Sequence, residues 1–103
     1  MNLFQRLFSG TPVIDLQSII DEGAFLVDVR TAGEFAEGHV KGSVNIPLDK
    51  VQAQFAKFKN RKNIIVFCRS GARSSQAKNI LQQNGFTNVV NGGRWNNVSR
   101  FVK

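Results

Sequence analysis

The segment Asn63-Ile64-Ile65-Val66-Phe67-Cys68-Arg69-Ser70-Gly71-Ala72-Arg73-Ser74 passes from an unbroken apolar run into a polar turn and then into a helix start. Asn63 to Phe67 carries no alternating polar residue. It therefore reads as a strand covered on both faces, the condition of strands in a parallel sheet. Beyond the turn, from Ala72 or Arg73 to Gln83, the apolar residues Ala77, Ile80 and Leu81 recur at helical spacing. Asn84-Gly85 ends that helix.

Working outward, the same alternation continues in both directions. Ala24 to Val29 is a second apolar, β-branched run and a second buried strand. Before it, Asp15 can cap a helix in which Leu16, Ile19 and Ile20 share a face, closed by Gly23. Thr11-Pro12 leads into a brief edge strand at Val13-Ile14. After it, Thr31 and Glu34 have capping-box spacing and open a short helix that Gly38 closes. Gly42 to Pro47 reads as a short strand stopped by proline. Leu48, Val51, Phe55 and Phe58 predict a helix over 48–58, with Lys57 and Lys59 at the negative end of its dipole. Asn88-Val89-Val90 is a last short strand, Asn91-Gly92-Gly93 a turn, and Trp95 to Phe101 a terminal helix. Strands alternating with helices define an α/β fold, a small central parallel β-sheet flanked by helices. Ligands of such folds bind beyond the carboxyl ends of the strands.

The chain has 103 residues, enough for one domain. We read residues 1–10 as an N-terminal extension and 11–103 as the domain. In the extension, Leu3, Phe4, Leu7 and Phe8 lie at helical spacing, as in a short amphipathic turn resting on the domain, without the sustained apolar run of a signal peptide. No segment is apolar for long enough to span a bilayer, so no membrane partner is expected. With 42% hydrophobic and 20% charged residues the chain can bury a core. Its single cysteine forms no internal disulfide and suits a reducing, cytoplasmic setting. One Cys and one His fall short of the four ligands of a zinc cage, and neither a metal nor an organic cofactor is expected. The net charge is +7, densest at Lys57, Lys59, Arg61 and Lys62. Nucleic-acid binding would call for a recognisable module or interleaved aromatic residues, and neither is evident. A solvated basic surface, or a field that attracts a small anionic substrate, accounts for the charge.

The residues leaving the strand at Phe67 carry the chemical signal. A cysteine at a strand end, then a tight turn, then a helix start lets backbone N–H groups converge on an anion. The helix dipole, Arg69 and Arg73 add positive charge, and all favour a thiolate at Cys68. Gly71 supplies a position tolerant of positive φ. The alternative is an inert cysteine buried at the strand end. Three further residues call for partners. Asp28 ends a buried strand and either accepts N–H groups of the following loop or, with Arg30, shapes a substrate entrance. Arg30 has Glu34 or Glu37 as its expected ion-pair partner. His39 either fixes its own loop or forms a dyad with the cysteine.

These motifs resemble the rhodanese homology domain, a family of sulfurtransferases, over about Val13 to Trp95. The resemblance rests on Phe25 to Arg30 with Glu34 to Val40, on Gly42 to Leu48, and on the Cys68 loop followed by Gly92-Gly93 and Trp95. Trp95 stands closer to Gly93 than the family pattern has it, and Thr31-Ala32-Gly33 replaces the usual proline and acidic residues. The resemblance implies a catalytic Cys68 that carries sulfane sulfur as a persulfide. The substrate cradle would be Arg69, Ser70, Gly71, Ala72 and Arg73, with Arg69 against the sulfonate of thiosulfate and Arg73 bracing the loop and the thiolate. Asp28, Arg30 and His39 would support it. The implied partners are a small anionic sulfur donor and a thiol or cyanide acceptor, or a protein donor or acceptor if the chain is a sulfur-relay module. The related cell-cycle phosphatases have a Cys-x5-Arg loop; here the spacing is Cys-x4-Arg, a smaller cradle suited to sulfur.

Overall fold

The computed structural model describes residues 15–103. The readings of 1–10, of Thr11-Pro12 and of the strand at Val13-Ile14 lie outside the described residues. A 4-stranded, wholly parallel sheet runs in the order β2-β1-β3-β4, where β1 is Phe25–Asp28, β2 Val44–Asn45, β3 Ile64–Cys68 and β4 Val89–Arg94. The helices α1 (Leu16–Asp21), α2 (Ala32–Glu37), α3 (Ala72–Gln83) and α4 (Trp95–Ser99) flank it.

All of β3 is buried because both its faces are covered. Ile64, Val66 and Cys68 join Val27, Val29, Ala77 and Leu81 on one side. Ile65 and Phe67 join Leu26, Val40 and Val98 on the other, where α1 adds Leu16, Ile19 and Ile20. The two-residue period of a strand thus aims Cys68 at α3. Each fully buried aliphatic side chain in these layers contributes about 1.5–3 kcal/mol. The local signals act as read: the Asp15 carboxylate accepts the Ser18 N–H, Thr31 and Glu34 form a reciprocal capping box, and Gly38 follows α2.

Four element readings are corrected by tertiary packing. The segment 48–58 is not one α-helix but two 3-10 pieces, Leu48–Lys50 and Gln52–Phe58, interrupted by a non-helical Gln54. The steps Leu48 to Val51 and Phe55 to Phe58 are three residues each, matching the 3-10 repeat, and the four-residue step between them falls across Gln54. The strand expected over 42–47 pairs only at Val44–Asn45, since Gly42 lies in a turn with φ +81° and Pro47 follows. Asn91-Gly92-Gly93 is not a turn; β4 continues through it to Arg94. Val66 pairs with Asn91 and Phe67 with Gly93, so Gly92 is the extra residue of a bulge. A Cβ on Gly92 would stand 2.7 Å from Val98 Cγ2 and 2.9 Å from Ile65 Cγ2, so close packing, not chain reversal, requires glycine there. Finally, α4 stops at Ser99, and Phe101 and Val102 follow in hydrogen-bonded turns.

Candidate active site

Cys68 ends β3 and has no exposed surface. Gly71, with φ +100°, turns the chain at the start of α3. This turn points donors at the sulfur: the Gly71 N–H lies 3.0 Å and the Ser74 N–H 3.4 Å from Cys68 Sγ. The thiol in turn donates to Ser74 Oγ at 3.5 Å. Burial pushes the thiol pKa up, but the Ser74 hydroxyl and the N–H groups of Ser74, Gly71 and Ser70 outweigh it, leaving the pKa below its ordinary 9.0. The converging hydrogen bonds are the main causes of the lowering, and the Arg73 charge interacts favourably with the Cys68 thiolate as well.

Arg69 and Arg73 leave this turn in different directions. Arg69 is exposed. It lines a recess of about 300 Å³ together with Arg30, Glu34, Glu37, Gly38 and Trp95. Arg73 makes a bidentate pair with Glu34, 2.7 Å from Nη1 to Oε1 and 3.0 Å from Nη2 to Oε2. Its guanidinium therefore braces the loop against α2, and it acts on the sulfur through its charge rather than through a hydrogen bond. The Arg73 hydrogen bond, with the Thr31 N–H, holds Glu34 down to about 2. The Ser70 side chain is exposed and Gly71 and Ala72 offer only backbone, so these three serve the loop through its main chain. A roomier cavity of about 510 Å³ lies on the other side of Arg73, against Val29, Leu48 and Ile80; Cys68 lines neither space.

Arg30 pairs with neither Glu34 nor Glu37. Its Nη2 stands 2.6 Å from Asp28 Oδ2, and its Nε contacts both Asp28 oxygens. Asp28 Oδ1 also accepts the Arg30 N–H at 2.9 Å, the loop contact expected for it. The guanidinium further donates to the Gly38 carbonyl at 2.7 Å and lies 4.6 Å from the Trp95 ring centre. Asp28 and Arg30 are thus a buried clamp joining β1, α2 and α4, while Arg30 also lines the recess. The pair forms because a carboxylate ending a buried strand is stable only beside a charge that satisfies it. His39 Nδ1 donates to the Phe35 carbonyl at 2.8 Å and its ring stacks on Phe35 at 3.8 Å. It fixes its own loop and is not a partner of Cys68.

Two residues at the site escaped the sequence reading. Ser74 is fully buried against the sulfur. Asn91, seventeen positions away, accepts the Ser74 hydroxyl at 2.7 Å. The serine that follows Arg73 was a visible signal; nothing in the sequence pattern marked the asparagine. Among the described residues no group of His, Cys, Asp or Glu could hold a metal ion, and no helix is long and apolar enough to cross a membrane.

A parallel sheet with a cysteine and an N–H cradle at the carboxyl end of a central strand marks a class of proteins that handle a bound anion at sulfur. The chain belongs to the rhodanese-like domain family, whose sequence profile matches residues 13–94. It is 41% identical over 69 residues to thiosulfate sulfurtransferase PspE of Escherichia coli, covering 65% of this chain and 66% of that one. It is 32% identical over 88 residues to the putative sulfur carrier protein YrkF of Bacillus subtilis, covering 81% of this chain and 48% of that one. The chain therefore spans from just under half to about two thirds of the length of these curated relatives. A solved structure described as rhodanese with anions from E. coli superposes with a TM-score of 0.66 at 36% identity, covering 73% of this chain and 91% of that one.

Proposed function

We propose that this chain is a sulfurtransferase and that Cys68 is its sulfur carrier. The observation that carries the reading is the Cys68 sulfur facing two inward N–H donors, at 3.0 and 3.4 Å, in a turn with Arg69 at its outer side. The thiolate attacks the outer sulfur of thiosulfate or a related anionic donor. A bond forms between Sγ and that sulfur as the donor's sulfur–sulfur bond breaks, and sulfite leaves with the bonding pair. The N–H groups of Ser70, Gly71 and Ser74, which converge on the sulfur, hold the persulfide anion by preorganised hydrogen bonds. Cyanide or a thiolate then attacks the outer sulfur and restores the Cys68 thiolate, a ping-pong cycle.

Arg69 meets the donor's anionic end, since among the described residues it forms no ion pair while Arg30 and Arg73 are held by Asp28 and Glu34. A free thiol at this position suits a reducing compartment, and we place the chain in the cytoplasm. A second reading, favoured by the likeness to a putative sulfur carrier, is a relay that takes sulfur from a protein donor. Thiocyanate production from thiosulfate and cyanide tests the two. Turnover supports the enzyme; slow turnover that a persulfidated protein donor restores supports the relay; failure with every donor contradicts both.

A further inference from the structure

Ser74 Oγ has one proton and stands among three partners. It lies 2.7 Å from Asn91 Oδ1, 3.1 Å from the Gly71 carbonyl and 3.5 Å from Cys68 Sγ. While the sulfur is a thiol, it donates to Ser74, and the hydroxyl proton is free for Asn91, the nearer oxygen. When the thiol loses its proton to solvent, the sulfur has nothing to donate and needs a donor in its place. A turn of the Ser74 hydroxyl about its Cβ–Oγ bond supplies one. That turn would normally orphan a buried acceptor, which is costly. Here it orphans none. Asn91 Oδ1 keeps the Gly93 N–H at 2.9 Å. The Gly71 carbonyl keeps the Ser75 N–H at 3.0 Å and the Asn91 Nδ2 at 3.4 Å.

We infer that Asn91 is a positioning residue for the Cys68 sulfur: its side-chain carbonyl holds the Ser74 hydroxyl proton while Cys68 is a thiol and releases it to the sulfur when Cys68 is an anion. The bulge at Gly92 contributes to this arrangement. It lets β4 present Asn91 toward α3 while Gly93 turns its N–H back onto the Asn91 oxygen. The inference deepens the reading of Cys68 as a sulfur carrier and rests on it for its purpose, but it concerns the charge state of the resting sulfur.

The test follows alkylation of Cys68 by iodoacetamide against pH, in the folded full chain and without any sulfur donor. The charged groups on the elements around the sulfur stay unaltered throughout: Arg69, Arg73 of α3, Glu34 of α2, the Asp28–Arg30 pair beyond β1, and Arg94, which pairs with Cys68 in the sheet. Ser74→Ala removes the donor and should raise the apparent pKa of Cys68 by about one to two units. Ser74→Thr keeps a hydroxyl and should restore most of the shift. Asn91→Asp keeps the shape of the side chain but holds the Ser74 proton on a carboxylate. It should raise the pKa clearly in the wild-type background and by much less in Ser74→Ala, because it acts through the hydroxyl. Equal shifts in the two backgrounds would reduce Asn91 to a bare charge effect and overturn the inference. So would an unchanged pKa in Ser74→Ala. Sulfur transfer is not read in this experiment, so a failure here is distinct from a failure of Cys68 to carry sulfur.

Discussion

At Cys68 the ordinary consequence of burial is reversed. An apolar setting favours a neutral thiol, and the sulfur here has no exposed surface. Hydrogen bonds from the following turn tip the balance toward the anion. In the proposed mechanism Arg69 meets the donor's sulfonate, since Glu34 occupies the Arg73 guanidinium. A charge-assisted hydrogen bond to a sulfonate is worth about 1.5–3 kcal/mol. Arg69→Ala should therefore lower kcat/KM for thiosulfate by roughly ten- to a hundredfold and change little with a donor that lacks a sulfonate. Steady-state kinetics with the two donors checks this, and equal losses for both would remove Arg69 from the anion site. The cysteine, Arg69 and the turn were legible in the sequence because they are contiguous. The Arg73–Glu34 and Ser74–Asn91 pairs were not, because they join residues 39 and 17 positions apart whose meeting depends on how helices and strands pack.

Among the elements, those with strong local signals behaved as their sequence implies. β3 is an uninterrupted apolar run, and α2 opens on a reciprocal Thr31–Glu34 cap. The 3-10 pieces and the long β4 were hidden because three-residue turns and a bulged glycine are set by neighbouring layers rather than by periodicity. Gly92→Ala would press a methyl group into Val98 and Ile65. It should cost about 1–3 kcal/mol in urea denaturation, as overpacked cores do. A neutral result would mean that β4 shifts freely. The link between α2 and α3 makes a pH prediction. Glu34 is held down to about 2 from an ordinary 4.5, so its contribution to stability is present above 4.5 and lost as pH falls toward 2. Because the pair is partly exposed, that contribution is about 1 kcal/mol. Wild type should exceed Glu34→Gln by this margin at neutral pH and converge with it in acid, as denaturation at several pH values will show.

Among the described residues the densest basic cluster and the cysteine lie at opposite ends of β3. Lys57, Lys59, Arg61 and Lys62 precede β3, whereas Cys68 closes it. A strand of this length separates them by about 16 Å, beyond the screening length of about 8 Å at physiological salt. Arg61 is already placed over the Phe25 ring at 3.8 Å and Lys62 lies 3.7 Å from Glu22. Replacing Lys57 and Lys59 by Gln should therefore leave thiosulfate kinetics within about twofold at that ionic strength, on the same screening argument. A large loss would relocate the anion field to that pole. The sulfur itself is the most direct object of measurement. After incubation with thiosulfate and removal of excess donor, intact mass spectrometry should show wild type heavier by one sulfur atom, an adduct that a reducing thiol removes. Cys68→Ser should show none. An adduct retained in Cys68→Ser, or none on wild type with any sulfur donor, would contradict a persulfide carried at Cys68.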